Sequence, residues 1–219
     1  MMTELTACPG CGTKLKSGMF SVNNLLSDER LELIAEFTRT PKKIGCDKCT
    51  GPEYFDVLTE FRKRRTVLQD TFRNDLDHIP LATTHSPYNW QYQVLGFATG
   101  QSTIGTGLFS ELAASWTDML GMQSESYNRK IAAGEAHCAT QLRGKAIQMG
   151  GNAIIGLDID YAELGGDKGM IMVCMSGTVV KLSNMDVLEQ AAVDAIERIG
   201  QLKEQLFEWE RKYPAVLKE

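Results

Sequence analysis

Four cysteines fall in two pairs, Cys8-Pro9-Gly10-Cys11 and Cys46-Asp47-Lys48-Cys49. Two Cys-x-x-Cys knuckles supply the four thiolates that tetrahedral Zn²⁺ takes. The first knuckle continues as Gly12-Thr13-Lys14-Leu15, where a glycine after the second cysteine lets the backbone turn tightly and aim its amides at sulfur. The second reads Gly45-Cys46-Asp47-Lys48-Cys49-Thr50-Gly51, with glycines on both sides. This is the pattern of a zinc ribbon, and it predicts one structural Zn²⁺ held by Cys8, Cys11, Cys46 and Cys49. A disulfide pair, a redox dithiol and unrelated thiols are the other readings of the same residues.

The elements around the knuckles must bring them together across 34 intervening residues, where a compact ribbon has roughly 15–20. An inserted helix over residues 27–38 explains the gap. Ser27 is a good N-cap, Asp28 and Glu29 suit the positive end of a helix, and Leu26 with Leu31 has the spacing of a hydrophobic staple. Its apolar residues Leu31, Leu33, Ile34 and Phe37 are expected to pack over the metal site. After the second knuckle, Pro52 opens a long helix with Tyr54, Leu58, Phe61, Leu68, Phe72 and Leu76 at helical spacing, ending near Asp77.

Bulk properties bound the rest. A chain of 219 residues with 43% hydrophobic content has room for one ordinary domain and a small appendage. The N-terminus lacks a basic region followed by an apolar run, and no apolar stretch of about 18 residues occurs, so the expected location is the cytoplasm with no membrane span. Cys138 and Cys174 are then expected to be free structural thiols. Residues 1–78 balance 12 basic against 12 acidic side chains, whereas 79–219 carry 11 against 16. Such a charge repels nucleic acid, and the basic run Arg62-Lys63-Arg64-Arg65 reads as a solvated helix face.

From His78 to Ser110 there is no Asp, Glu, Lys or Arg. The order read there is a strand from Trp90 to Thr99, a turn punctuated by Gly96, Gly100, Gly105 and Gly107, and a helix over 108–120. Gly100 to Gly105 is followed by Thr106-Gly107 where a phosphate loop needs Lys then Ser/Thr, so no nucleotide site is predicted. A helix from Ser126 to Met149 carries the stripe Tyr127, Ile131, Cys138, Leu142, Ala146, Met149, which turns Cys138 to the core. Two strands, Asn152–Tyr161 and Gly169–Leu182, form a hairpin, and the second is apolar on both faces. After Ser183, Leu188, Ala192, Ala195, Ile199, Leu202, Leu206 and Trp209 recur at alternating steps of four and three, a heptad seam that suits either a coiled coil or packing on its own domain.

Leu95-Gly96-Phe97-Ala98-Thr99-Gly100, Tyr127, Gly150-Gly151-Asn152-Ala153-Ile154-Ile155-Gly156-Leu157-Asp158-Ile159-Asp160-Tyr161, Met170-Ile171-Met172-Val173 and Ser176-Gly177-Thr178-Val179-Val180 together resemble the YbjQ-like heavy-metal-binding family over about 79–183. The resemblance implies an α+β domain of the dodecin-like kind, with a small antiparallel sheet packed with helices, that assembles into a ring, commonly a pentamer. It implies no enzyme activity. Where the family has Gly-Gly-Arg-Ser between its helices, this chain has Gly121-Met122-Gln123-Ser124, so that arginine and any role it has are missing.

The expected organisation is a zinc-ribbon-like segment (1–51), a helical linker (52–78), the YbjQ-like domain (79–183) and a C-terminal amphipathic helix (184–219). His137 with Glu135, Cys138 with Cys174, and Asp158 with Asp160 are candidate ligands for a second ion, but none forms a recognisable constellation. His137 and Cys138 diverge by about 100 degrees on their helix, and no Ser/His/Asp or Cys/His arrangement has catalytic spacing, so neither catalytic nor cofactor-binding residues are predicted. The reading is a non-enzymatic, zinc-containing homo-oligomer that serves as a binding or scaffold module, with an unidentified protein as a further partner. The alternative is a metal-handling or metal-sensing protein with a second ion or small-ligand site in the ring.

Overall fold

The inserted helix starts where its capping residues place it. In this computed structural model, which describes residues 5–18, 21–104, 122–164 and 170–219, α1 spans Asp28–Thr38 and the Ser27 side chain accepts from the Arg30 N–H. A short antiparallel hairpin, β1 (Lys16–Gly18) and β2 (Ser21–Asn23), precedes it. The second knuckle leads directly into α2, Gly51–Leu76. By contact density the chain divides into two units, Met1–Phe72 with Gly200–Glu219, and Arg73–Ile199, so the division falls inside two long helices.

The core of the cysteine-bearing unit differs from the expectation. Leu31, Leu33 and Ile34 of α1 belong to an apolar cluster that contains none of the four cysteines. They join Leu26, with Tyr54, Val57, Leu58 and Phe61 of α2, and Trp209, Tyr213 and Val216 from the end of the chain. Burying that much apolar surface is worth more than a few contacts over a small metal site, at roughly 1.5–3 kcal/mol per fully buried large side chain. Phe37 completes the cluster by meeting Phe61 edge to face at 5.7 Å.

Carboxylates tie the final residues down. Glu29 accepts from the N–H groups of Ala215 and Val216 (2.7 and 2.9 Å), Glu36 accepts from Lys212 and from the Tyr213 hydroxyl, and Glu219 accepts from Arg30 and the Tyr54 hydroxyl. Burial works to raise the Glu36 and Glu219 carboxyls, but the hydrogen bonds from Lys212 and Tyr213, and from Tyr54 and Arg30, outweigh it and hold both below the ordinary range. A folded-state pKa below the unfolded value contributes stability that is present above the unfolded value, about 4.3, and is lost as pH falls through the folded one. Between about pH 5 and pH 3 the melting temperature of this unit should therefore fall more steeply in the wild type than in Glu36→Gln/Glu219→Gln, as read by thermal circular dichroism.

The central unit is built on a three-stranded antiparallel sheet in the order β3-β5-β4, with β3 Tyr92–Ile104, β4 Ala153–Leu164 and β5 Met170–Leu182. One face is covered by α3, Met122–Gln148. Cys138, Leu142 and Ala146 of that helix are buried against Ala98, Ile154, Val173, Met175 and Val179. The expected turn at Gly100 is instead strand, paired with Met175 of β5. Gly100 is there because α3 passes over it, and a Cβ on it would lie 2.5 Å from the Cys138 carbonyl oxygen. At this position glycine marks a close approach, not a change of direction.

On its opposite face the sheet is only partly covered. Ala153, Ile155 and Val180 are buried with Ala82, Trp90 and Tyr92, and the 80–84 segment bonds along the edge of β4 through Ile154, Gly156 and Leu157. Further along β5, Met170, Met172 and Cys174 are half-buried and Ser176 is exposed, so among the described residues the second face is only partly covered. Met149, expected in the helix stripe, is exposed beyond the end of α3. The expected loop at Gly105 and Gly107, the 108–120 helix and Gly121 lie outside the described residues.

The C-terminal helix starts later than the seam suggests. Asn184 accepts from the Gln91 N–H (2.7 Å) and donates to the Asn89 carbonyl (2.8 Å), which ties the chain to the start of β3. A 3-10 turn at Met185–Val187 follows, and α4 runs from Gln190 to Lys212, stopping ahead of Pro214. In the central unit Arg198 of α4 makes a forked ion pair to the buried Asp75 (2.7 and 3.1 Å). No helix among the described residues is long and apolar enough to cross a membrane.

Candidate metal centre

Each knuckle is shaped by its own turn. Gly12 N–H donates to the Cys8 carbonyl and Cys8 N–H to the Thr13 carbonyl, both at 2.8 Å, with Gly12 in the left-handed region at φ 72°. Gly10 has no room for a side chain, since a Cβ would stand 2.4 Å from the Ile44 carbonyl oxygen of the other knuckle. In the second knuckle the N–H groups of Cys49 and Thr50 both donate to the Cys46 carbonyl (3.1 and 2.9 Å). Residues 23–26 hold that knuckle in place. Leu25 bridges Cys46, Leu26 N–H donates to the Gly45 carbonyl at 2.9 Å, and Asn24 exchanges two bonds with Asp47.

The sequence-predicted ligands meet at one point. The sulfurs of Cys8 and Cys49 are 3.9 Å apart, those of Cys11 and Cys46 3.8 Å, and those of Cys46 and Cys49 3.7 Å, with all four inside 4.8 Å of one another. Four sulfurs placed at about 2.3 Å from one tetrahedral centre would lie about 3.8 Å from each other, so the set has the dimensions of an S₄ metal site. A disulfide needs sulfurs at about 2.0 Å, and none of these pairs is close to that. Cys8 and Cys46 are buried, while Cys11 and Cys49 are exposed.

The electrostatics of the site favour thiolate at three of the four positions. The Thr13 hydroxyl, 3.2 Å from the Cys11 sulfur, is the main cause of that thiol's lowered pKa, and the Thr50 hydroxyl at 3.4 Å does the same for Cys49. Burial works to raise Cys46, but backbone N–H groups of Cys49 and Lys48 outweigh it and leave it lowered. Cys8 is raised, chiefly by burial. The helix α2 begins two residues beyond Cys49, which adds the partial positive charge of a helix N-terminus beside that sulfur.

The other candidate ligands do not converge. Cys138 donates to the Val173 carbonyl within the core, and Cys174 projects from the opposite face of the sheet. Glu135 accepts from the Tyr161 hydroxyl, His137 is exposed, and Asp158 and Asp160 are exposed at positions paired with Ser176 and Cys174. Among the described residues the four knuckle cysteines are the single group arranged to hold a metal ion. What the sequence reading missed at this site is Asn23. Its side chain is buried and bonds to both knuckles, and its only signal in the sequence is an asparagine pair where β2 ends.

Comparison with known proteins bears on the central unit. The YbjQ family model, described as "Putative heavy-metal-binding", matches residues 79–183. A UPF0145 protein of Bifidobacterium longum subsp. infantis is 35% identical over 88 residues, which make up 40% of this chain and 80% of that protein. A crystal structure of a protein of unknown function from the DUF74 family of Pediococcus pentosaceus aligns at 17% identity over 47% of this chain and 96% of that chain, with a TM-score of 0.32. The family match begins after the last of the four knuckle cysteines.

Proposed function

The chain belongs to the YbjQ-like family through its central unit, and on that premise we propose that it is a non-enzymatic, cytoplasmic homo-oligomer in which the family domain forms the ring and the cysteine-bearing unit carries one structural zinc. The family description and the four close thiols agree on metal binding. The observation that carries the zinc assignment is the set of sulfur separations, 3.7 to 3.9 Å, because a redox-inert d¹⁰ ion with no geometric preference of its own suits a closed S₄ site. Its role would be to hold together two knuckles that otherwise share little apolar core.

Oligomerisation rests on apolar surface that is exposed among the described residues. Phe97 is 79% exposed and Val94 58%, both on β3, and the half-buried Met170 and Met172 are on the sheet face not covered by α3. Neighbouring copies are the natural cover for such a face, and closure into a ring, five-membered by analogy with the family, leaves no edge free to aggregate. The seam of α4 plays a different part. Leu206 and Trp209 pack on α1 and α2 within the chain, which favours the second of the two uses its spacing allows over a coiled coil.

Native mass spectrometry of the full chain, purified without chelator, tests the proposal because metal count and subunit count come from one spectrum. One zinc per subunit in a ring-sized oligomer is expected, and metal-free monomers would refute it. The metal-sensing alternative is favoured by the exposure of Cys11 and Cys49, which leaves an ion open to exchange from solvent. It predicts that subunit count changes when metal is removed, whereas a structural zinc leaves the ring intact.

A further inference from the structure

Asn23 is 1% exposed, the deepest polar side chain among the described residues, and its two amide atoms go to different knuckles. Nδ2 donates to the Lys14 carbonyl at 3.1 Å, three residues after Cys11. Oδ1 accepts from the Lys48 N–H at 3.2 Å, one residue before Cys49. Among the described residues no backbone hydrogen bond runs directly from one knuckle to the other, so apart from the sulfurs themselves the halves are joined through the strand that carries Asn23. The neighbouring Asn24 reinforces one arm, donating its N–H to Asp47 Oδ2 at 2.7 Å and accepting from Asp47 N–H at 2.9 Å.

We propose that Asn23 is a positioning residue for the metal: its buried carboxamide fixes the separation of the Cys8/Cys11 pair from the Cys46/Cys49 pair, so that four thiolates stand at tetrahedral spacing before an ion arrives. The inference rests on the zinc reading above. A planar amide with a donor at one end and an acceptor at the other suits this task, because each end meets the complementary backbone group of one knuckle and neither is left unsatisfied in the interior. Hydrogen-bonding partners behind metal ligands act in this way, orienting the ligands and adding to affinity without touching the ion.

The test measures zinc affinity of the full chain by competition with a chromophoric chelator, together with the visible d–d spectrum of the Co²⁺-substituted protein. Asn23→Ala should lose on the order of 10–100-fold in zinc affinity and show a Co²⁺ band displaced and weakened from that of regular tetrahedral S₄ coordination. Asn23→Asp keeps the acceptor for Lys48 but sets a carboxylate oxygen against the Lys14 carbonyl, so it should lose at least as much affinity as Ala. Leu33→Ala, which removes a fully buried side chain from the apolar core of the same unit, is the control for lost stability alone. Its Co²⁺ spectrum should match the wild type. If Asn23→Ala keeps the wild-type affinity and spectrum, or loses no more affinity than Leu33→Ala, the proposal is overturned. Should Asn23→Ala leave the unit unfolded even with zinc, Asn23→Asp decides, and a wild-type spectrum in it overturns the proposal equally. A wild-type chain that binds neither Zn²⁺ nor Co²⁺ would instead overturn the metal reading, and this inference with it.

Discussion

Cys46→Ser should unfold the two knuckles and leave the central unit intact. Structural zinc contributes an apparent 10–16 kcal/mol, about as much as or more than the whole stability of an ordinary domain at roughly 5–15 kcal/mol. With one thiolate gone, the knuckles keep a few turn hydrogen bonds and the Asn23 bridge, which are worth about 1 kcal/mol each. α1 keeps its own cover, since Leu31, Leu33 and Ile34 are buried against α2 and the end of the chain, so the loss is confined to the knuckles. Limited proteolysis read by mass spectrometry should show cleavage within 5–18 and 44–50 in the variant and protection within 28–38, 122–164 and 170–199. Protection of the knuckles equal to that of the wild type would mean that apolar packing and not metal holds the segment.

Phe61→Ala should destabilise the cysteine-bearing unit by about 3–5 kcal/mol. The ring is almost fully buried and has three aromatic neighbours, Phe37, Trp209 and Tyr213, with centroids 5.7, 5.0 and 5.8 Å away. Two of those neighbours come from the last residues of the chain, so the cavity opens between segments that are about 150 residues apart in sequence and has no single element able to collapse into it. Denaturant unfolding followed by tryptophan fluorescence reports directly, because Trp209 is in the cluster. A loss under about 1 kcal/mol would show that α4 does not share this core, and the seam would then return to being an interface between chains.

The sequence displays these features unequally, and each difference has a physical cause. The cysteine pairs were readable because metal ligation demands particular residue types at fixed spacing, and the α1 cap because Ser27 acts on the N–H of a residue only three positions away. Local rules of that kind survive any tertiary context. Gly100 was misread as a turn because a glycine that admits a passing helix and a glycine that turns the chain look alike until Cys138 is known to lie above it. The late start of α4 depends on Asn184 bonding to Asn89 and Gln91, more than 90 residues away, which no periodicity contains. The seam itself was visible, but its partner was not. Leu206 and Trp209 have the same spacing whether they face another chain or α1 and α2, and only the aromatic cluster around Phe61 separates the two. Asn23 was silent for a related reason, since its value lies in two backbone groups brought to it by the fold.

The central claim is that one ion sits among four cysteine sulfurs. X-ray absorption at the zinc edge of the full chain, purified without chelator, tests it most directly. One zinc per chain is expected, with a first shell of four sulfurs at about 2.3 Å and no nitrogen or oxygen in it. A protein without zinc, or a shell in which light-atom ligands replace any of Cys8, Cys11, Cys46 or Cys49, would contradict it.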